Sequence, residues 1–488
     1  MPQISLRAGT PDDDNRDYLP EHLKDSDIVV NENGNNSQPY PRRLEEHTGV
    51  VIDGEEDTWY LYVPESYRAD TPTPLVVSMH GGYMTGWGQA VYTSWTMVAE
   101  REGFLVLFPN AHLRRFWLID VPEEQIEQAT AVREDGIYLN RPPADPDENH
   151  DMRLVLALID RLVASHNVDR GRVYMQGMSM GNAMTGQFTR YFGDHLAGAA
   201  GSGGPTAPKL LFDESGAVIN RAGAVPVWQT RLELDDVPPH YGMPVGDVVA
   251  LNRDYWRTVN GASGTPRISI RGLDNLAFYE GGDAPVVFRD VKNRDHGQTL
   301  DDAEFVWSHL FSGTRRRSDG TVELTEPRRP RHGDDVSIAI ADGATSAWLH
   351  QEVVDLGAAA FVWHKLKYHG LQGDAISRGA YLYAPLDFVA RALDARSSES
   401  DGRGRLEWSD GTVVEVARGS VVALVDGDVV GMLAEAVERG GQLFLPLEWV
   451  ARDVRGLHTS TCDGVLYVTD HHADLSRNMA RLLADLLA

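Results

Sequence analysis

Two short, uninterrupted apolar runs, PLVVSMH at 74–80 and GFLVLFP at 103–109, constrain this chain more than any other feature. Neither alternates apolar with polar residues, so neither suits a strand with one wet face. Continuous Val, Leu and Phe suit strands covered on both faces, the condition inside a parallel sheet. Between them, SWTMVAEREG has helical spacing and stops at Gly103. The pattern recurs downstream. MRLVLALIDRLVASH (152–166) reads as a long helix, RVYMQG (172–177) as a strand, PVWQT (226–230) and PVVFRD (285–290) as later strands, and DDAEFVWSHLF (301–311) as a closing helix. Upstream, GVVIDGEEDTWYLYVP reads as two strands, 49–53 and 58–63, around a glycine-containing turn. This alternation across 49–312 predicts an α/β domain on a doubly wound, mostly parallel sheet.

Within that domain Gly177-Met178-Ser179-Met180-Gly181 lies between a predicted strand and a predicted helix. Gly-x-Ser-x-Gly at such a junction is a nucleophile elbow: a sharp turn lifts the serine Oγ clear of the sheet, and the following helix start offers amide donors to an oxyanion. A glycine-rich turn of a nucleotide-binding domain is the rival reading, but no Gly-x-Gly-x-x-Gly or phosphate-loop lysine stands nearby. His80-Gly81-Gly82 ends the run PLVVSMH and reads as an oxyanion-hole loop, with one donor from Gly81–Tyr83 and another from the Met180 amide. The fold orders its catalytic residues serine, acid, histidine. His296 therefore reads as the base, whereas His240 comes too soon after the acid candidates and His195 follows the nucleophile helix. The acid lies in RLELDDVPP, where Asp235 is the choice and Asp236 and Glu233 are alternatives.

Outside the domain, residues 1–45 are a polar lead-in with an Asp run at 12–14, and 46–312 is the catalytic domain. Residues 313–335 (GTRRRSDGTVELTEPRRPRHGDD) are rich in Arg, Pro and Gly and read as a solvated linker. Residues 336–488 contain a repeat: YAPLDFVARAL (383–393) recurs as FLPLEWVARDV (444–454), with Pro385 and Pro446 matching 61 positions apart. Proline opens each short helix, where its missing N–H costs nothing, and glycine-turn strands follow. This predicts a small duplicated α+β module. Its adjacent His471 and His472 read as loop residues, and the single cysteine, Cys462, as a small apolar strand residue. One cysteine excludes an intrachain disulfide and a thiolate metal site.

Residues 49–312 resemble the poly(3-hydroxybutyrate) depolymerase-like esterases, which group with feruloyl and acetylxylan esterases. YLYVPESY, PLVVSMHGG, SWTMVAEREGFLVLFPNA, LVLALIDRLVASHNVDRGRVYMQGMSMG and DHGQTLDDAEFVWSHLF carry the resemblance. It implies the α/β-hydrolase fold, Ser179 and His296 in catalytic places, and Asp235 bracketed by the VP that follows it. Where that family usually has a His-Gly pair ahead of its acid, this chain has Arg231-Leu232. Residues 111–150 are longer than a plain connection and read as a lid or substrate loop, with Trp117 as a candidate pocket wall or else a packed core aromatic. Residues 336–488 resemble the copper amine oxidase N-terminal-like (stalk) domain. No Asn-Tyr pair, the context of the quinone precursor, occurs in the chain, so the resemblance implies a spacer, surface-attachment or dimerisation element.

Acidic side chains number 72 against 45 basic, a formal charge of −27. Such a surface repels nucleic acid and anionic membranes and favours neutral or cationic substrates, or serves solubility alone. No apolar run approaches the ~20 residues of a membrane span. The expected chemistry is two-step hydrolysis of a neutral carboxylic ester, with no metal or organic cofactor needed; the ester is small or polymer-linked. A peptidase or acyltransferase on the same fold, or a surface-binding protein with a decayed hydrolase domain, are the alternatives. No charged-then-apolar leader opens the sequence, which reads as cytoplasmic if Met1 is the native start. The company of the C-terminal module instead favours an extracellular or cell-surface protein whose leader was removed, with cell-surface or self-contacts through 336–488.

Overall fold

A computed structural model describes residues 43–488, except Arg114, Asp135, Ile137, 238–241 and 370–373. The lead-in through residue 42 and His240 therefore lie outside the described residues. The structure divides into two units. The first runs to Gly264 and adds Phe278–Arg289 and Arg294–Arg331; the second comprises Thr265–Ala277, Asp290–Asn293 and His332–Ala488.

The largest sheet among the described residues begins with β1 (Leu44–Val50) and β2 (Glu56–Tyr62), an antiparallel pair. Then come β3 (Thr73–Met79), α1 (Gly86–Tyr92), α2 (Trp95–Glu102) and β4 (Leu105–Pro109), followed by the short α3 (Ile126–Ala129) and the long α4 (His150–His166). Next are β5 (Val168–Met178), α5 (Met180–Phe192), β6 (Gly198–Ser202), β7 (Val227–Leu232) and α6 (Val245–Val259). β8 (Arg267–Arg271), β9 (Asp274–Tyr279), β10 (Val286–Val291) and α7 (Asp302–His309) close the series. Through the first unit the sheet order is β1-β2-β4-β3-β5-β6-β7-β10. β3 pairs in parallel with both β4 and β5, and β5, β6 and β7 continue in parallel. The apolar runs at 74–80 and 103–109 become β3 and β4, and every residue of β4 is buried, as a strand covered on both faces requires. α2 stops where Gly103 adopts φ +80°, the left-handed conformation that ends a helix. α4 starts on the cap Asn149, whose side chain accepts from the Met152 amide.

The expected linker is corrected by the structure. Residues 313–331 belong to the first unit, and β11 (Thr314–Arg316) pairs with β12 (Val322–Leu324). Arg316 is buried and donates to the carbonyls of Leu196, Gly320, Gly193 and Ala224 at 2.8–3.1 Å. Arginine looked like a mark of solvation in the sequence, but this guanidinium satisfies inward-facing carbonyls, a use of Arg that composition does not disclose.

The second unit continues with β13 (Ser337–Ala341), β14 (Ser346–Leu349), β15 (Glu352–Asp355), β16 (Phe361–His369), β17 (Asp374–Pro385) and α8 (Leu386–Ala392). β18 (Ala395–Ser400), β19 (Arg403–Trp408), β20 (Val413–Ala417), β21 (Val422–Val425) and β22 (Asp428–Gly431) follow. β23 (Val437–Arg439), β24 (Gln442–Pro446), α9 (Leu447–Trp449), β25 (His458–Cys462), β26 (Val465–Thr469) and α10 (Arg477–Leu487) complete it. The repeat seen in the sequence is a structural two-fold. β17 and β24 pair antiparallel through Tyr383↔Pro446, Ala384↔Leu445 and Pro385↔Phe444, so the equivalent prolines sit symmetrically about the central pair. The symmetry extends beyond the repeated motif. Gly343 donates to the Ala360 carbonyl and Gly419, 76 positions on, to that of Ala436. Each five-stranded sheet mixes the two copies: β15-β14-β13 joins β26-β25, and β22-β21-β20 joins β19-β18. The first copy's offset falls from 76 to 61 because the β16–β17 hairpin is 15 residues longer than its β23–β24 counterpart. Leu386, Val389, Leu406, Trp408, Leu447 and Trp449 form part of one continuous apolar core.

Candidate active site

β5 delivers the chain into a turn that only a specific residue set tolerates. Ser179 stands at φ 57°, ψ −117° between β5 and α5, a non-glycine backbone state costing ~1–3 kcal/mol. A Cβ on Gly177 would lie 2.0 Å from the Gly181 carbonyl oxygen, and one on Gly181 would lie 2.2 Å from that of Met79. The flanking glycines are thus required by backbone packed on backbone. The Ser179 amide donates to the Ser202 carbonyl at 2.9 Å, tying the turn to β6.

The structure brings Ser179, His296 and Asp235 together from three separate segments. His296 Nε2 lies 2.8 Å from Ser179 Oγ, and His296 Nδ1 lies 3.0 Å from Asp235 Oδ1. With Nδ1 protonated towards the carboxylate, Nε2 is left to accept the serine proton. Asp235 is buried and accepts from the amides of Gly204 (2.9 Å) and Val237 (3.0 Å). Burial works against its charge, but the hydrogen bond and charge of His296, with these two amides, outweigh it and hold its carboxyl below the ordinary value. The alternatives Asp236 and Glu233 are not the carboxylates facing His296. Around the site, Gly203 at φ +72° lets the chain pass the His296 ring, where a Cβ would approach Cε1 to 3.2 Å. Asn182 Nδ2 donates to the carbonyls of Gly203 and Gly204 at 2.6 and 2.7 Å. Behind His296, Ser202 Oγ donates to the Gly297 carbonyl, and Gln298 joins Gln176 to Asp302.

The segment after β3 lies against the elbow. A Cβ on Gly82 would meet Met180 Sδ at 3.0 Å, and one on Gly81 would meet Met178 Cε at 3.0 Å. The buried His80 orders this segment: its Nδ1 lies 2.7 Å from the Gly81 carbonyl and its Nε2 accepts from the Ala111 amide at 3.0 Å. These partners require the neutral Nδ1–H tautomer, and burial pushes its pKa down to about 4. Two expectations are corrected here. The Tyr83 amide donates to the Arg115 carbonyl at 3.2 Å, so it is committed elsewhere than to an oxyanion; Tyr83 bends away at φ +66°. Trp117 is fully buried rather than lining a pocket. Its ring packs on His80 with centroids 4.6 Å apart and its Nε1 donates to the His80 carbonyl at 2.7 Å. A large apolar ring with one polar atom is fully served by that location. The aromatic that is exposed here is Tyr83, set edge-on to Phe116 at 4.6 Å. The residue type gave no warning of this, because exposure depends on the turn taken after Gly82. The 111–150 segment is anchored rather than loose at its ends: Asp151 accepts from the amides of His112 and Leu118, and Asn149 donates to the Leu118 carbonyl.

Sheet order, elbow and the convergence of serine, histidine and aspartate define an α/β-hydrolase. Its sequence is similar to parts of several known esterases. A bifunctional acetylxylan esterase/xylanase, XynS20E, from Neocallimastix patriciarum is 24% identical over 285 residues, covering 56% of this chain and 36% of that protein. Feruloyl esterase B from Thermothelomyces thermophilus is 28% identical over 148 residues, covering 30% and 43%. Poly(3-hydroxyalkanoate) depolymerase C from Paucimonas lemoignei is 27% identical over 150 residues, covering 30% and 31%. The chain thus spans less than half the length of these curated relatives. A solved acetyl xylan esterase from Aspergillus awamori aligns at TM-score 0.38 and 16% identity, over 54% of this chain and 98% of that one. No protein-family model matches. The chain has the α/β-hydrolase fold, and part of its sequence is similar to these esterases. Among the described residues, no helix is long and apolar enough to cross a membrane.

Proposed function

We propose that the protein hydrolyses neutral carboxylic esters through an acyl-enzyme, with Ser179 as nucleophile, His296 as base and Asp235 as the acid that orients it. The observation that carries this reading is the continuous line from Asp235 Oδ1 to His296 Nδ1 (3.0 Å) and from His296 Nε2 to Ser179 Oγ (2.8 Å). His296 takes the Ser179 proton as Oγ attacks the ester carbonyl. The tetrahedral oxyanion is stabilised by amides of Gly82 and Met180, with Gly81 beside them; one such donor is worth ~3 kcal/mol in the transition state. The imidazolium then protonates the departing alcohol, and Asp235 stabilises its charge. Water, activated by His296, releases the acid and restores Ser179.

The names of the curated relatives favour acyl or feruloyl esters on plant polysaccharides, or short polyester oligomers, as substrates. The acidic charge of −27 agrees with a neutral ester better than with an anionic one. On the strength of its resemblance, the duplicated C-terminal module is proposed as a copper amine oxidase N-terminal-like attachment or self-contact element of an extracellular or cell-surface protein. The deciding experiment is turnover of p-nitrophenyl esters from acetate to octanoate by the wild-type chain and by Ser179→Ala. Short esters should be cleaved, and Ser179→Ala should lose at least ~1000-fold in kcat/KM. A folded wild-type chain with neither turnover nor labelling by a fluorophosphonate would sink the proposal.

A further inference from the structure

Three side chains far apart in sequence converge elsewhere in the catalytic unit. Asp57 lies on β2, His112 follows β4, and His150 opens α4. Asp57 Oδ1 is 2.8 Å from His112 Nδ1 and 3.1 Å from His150 Nε2, with Oδ2 3.3 Å from the latter. The two imidazole rings are 4.1 Å apart between centroids, and all three prospective ligand atoms lie within 4.8 Å of one another. Asp57 is 3% exposed, so its charge needs partners that water does not supply.

The opposite side of His150 is also occupied. His150 Nδ1 lies 3.2 Å from Asp53 Oδ2, and Asp53 is clamped by both terminal nitrogens of Arg153 at 2.7 and 2.8 Å. A metal-binding histidine characteristically donates its other ring N–H to a carboxylate, which fixes the tautomer and the ring plane. Here that arrangement comes with an oriented carboxylate. With an ion, a neutral His150 donates through Nδ1 and gives its Nε2 lone pair to the metal. Ligand atoms ~2.0–2.1 Å from a tetrahedral ion stand ~3.3 Å apart; Asp57 already stands 3.1 and 3.3 Å from His150 Nε2, and the 2.8 Å to His112 Nδ1 needs to open by only ~0.5 Å.

We propose that Asp57, His112 and His150 form a divalent transition-metal site. Two imidazoles and one carboxylate favour zinc, with the fourth position filled by water. The site is separate from ester hydrolysis and its role is to staple the fold. It ties β2 and the start of α4 to the loop 110–118, whose Ala111 amide donates to His80 and whose Arg115 carbonyl accepts from Tyr83. An ion there stiffens the scaffold behind the Gly81–Gly82 segment.

The test uses the full chain, stripped with a chelator, dialysed, and titrated with Zn2+ by calorimetry and with Co2+ by visible absorption. One equivalent should bind, Co2+ should show the intense bands of a tetrahedral site, and Zn2+ should raise Tm. His112→Gln and His150→Gln should each abolish the tetrahedral bands, and Asp53→Asn should weaken affinity by ~10–100-fold, the loss expected of an orienting carboxylate. Weak binding with only octahedral Co2+ absorption, or binding unchanged in both histidine variants, overturns the site. Should a variant fail to fold by circular dichroism, the wild-type Co2+ spectrum decides alone, and absence of tetrahedral bands overturns the proposal.

Discussion

Asn182 and Gly204 are joined across the active-site floor: the Asn182 amide nitrogen donates to the Gly204 carbonyl at 2.7 Å while also holding that of Gly203 at 2.6 Å. Gly204 in turn gives its own N–H to Asp235. The first turn of α5 therefore sets the position of the carboxylate that faces His296. Asn182→Ala frees the Gly203–Gly204 turn and should lower kcat by roughly 10- to 100-fold, as small misplacements of a catalytic group do, with KM little changed. Steady-state kinetics on a p-nitrophenyl ester check this. A change in KM alone would assign Asn182 to substrate binding instead.

Gly82 and Gly181 should respond differently to the same added methyl. At Gly82 the new Cβ meets the flexible Met180 thioether at 3.0 Å and the Phe116 ring at 3.3 Å. Gly82→Ala should fold and lose activity. At Gly181 the Cβ meets the Met79 carbonyl oxygen at 2.2 Å, which cannot yield without moving β3. Gly181→Ala should lower stability by at least ~3 kcal/mol, beyond ordinary overpacking. Urea unfolding beside ester turnover separates the two.

His80 makes stability pH-dependent. Its folded pKa is lowered to about 4 by burial, whereas an unfolded histidine titrates near ~6.5. Between these values the unfolded chain binds the proton and the folded chain does not, so stability rises with pH. The contribution is fully present above pH ~6.5 and is lost as pH falls towards 4, by on the order of 3 kcal/mol. His309, also lowered to about 4 chiefly by burial, adds a slope of the same sign. Urea unfolding from pH 4 to 7 should show the slope, and His80→Gln should reduce it. An unchanged slope in that variant would remove His80 from the explanation.

Arg316→Met should cost ~3 kcal/mol, because four carbonyls lose a charged donor in a buried place. A change within ~0.5 kcal/mol, the level of an exposed substitution, would return residues 313–331 to the status of a free spacer.

The parallel strands were legible because burial on two faces leaves a run such as LVLFP with no polar position to hide. The elbow was legible because its glycines answer to backbone contacts that no other residue permits. Chain order, with serine, acid and histidine in sequence, pointed to His296 and narrowed the acid to RLELDDVPP, but it left Asp235, Asp236 and Glu233 open until the structure set Asp235 against His296. What could not be read is what depends on engagement rather than type. Tyr83 has an amide like any other, and only the structure shows Arg115 accepting from it. Trp117 offers the same ring to a pocket or a core. Asp57, His112 and His150 have no spacing signature, because β2, the loop after β4 and α4 meet only through the folded sheet.

The crossing of strands between the two C-terminal copies has a consequence for assembly. Neither copy completes a five-stranded sheet from its own strands. A chain reduced to one copy would hold three strands lacking their hairpin and a hairpin lacking its three strands. Two such chains would finish each other as a domain-swapped homodimer. The duplication thus amounts to a dimer closed within one polypeptide, and the same exchange remains open to two intact chains refolding side by side at high concentration.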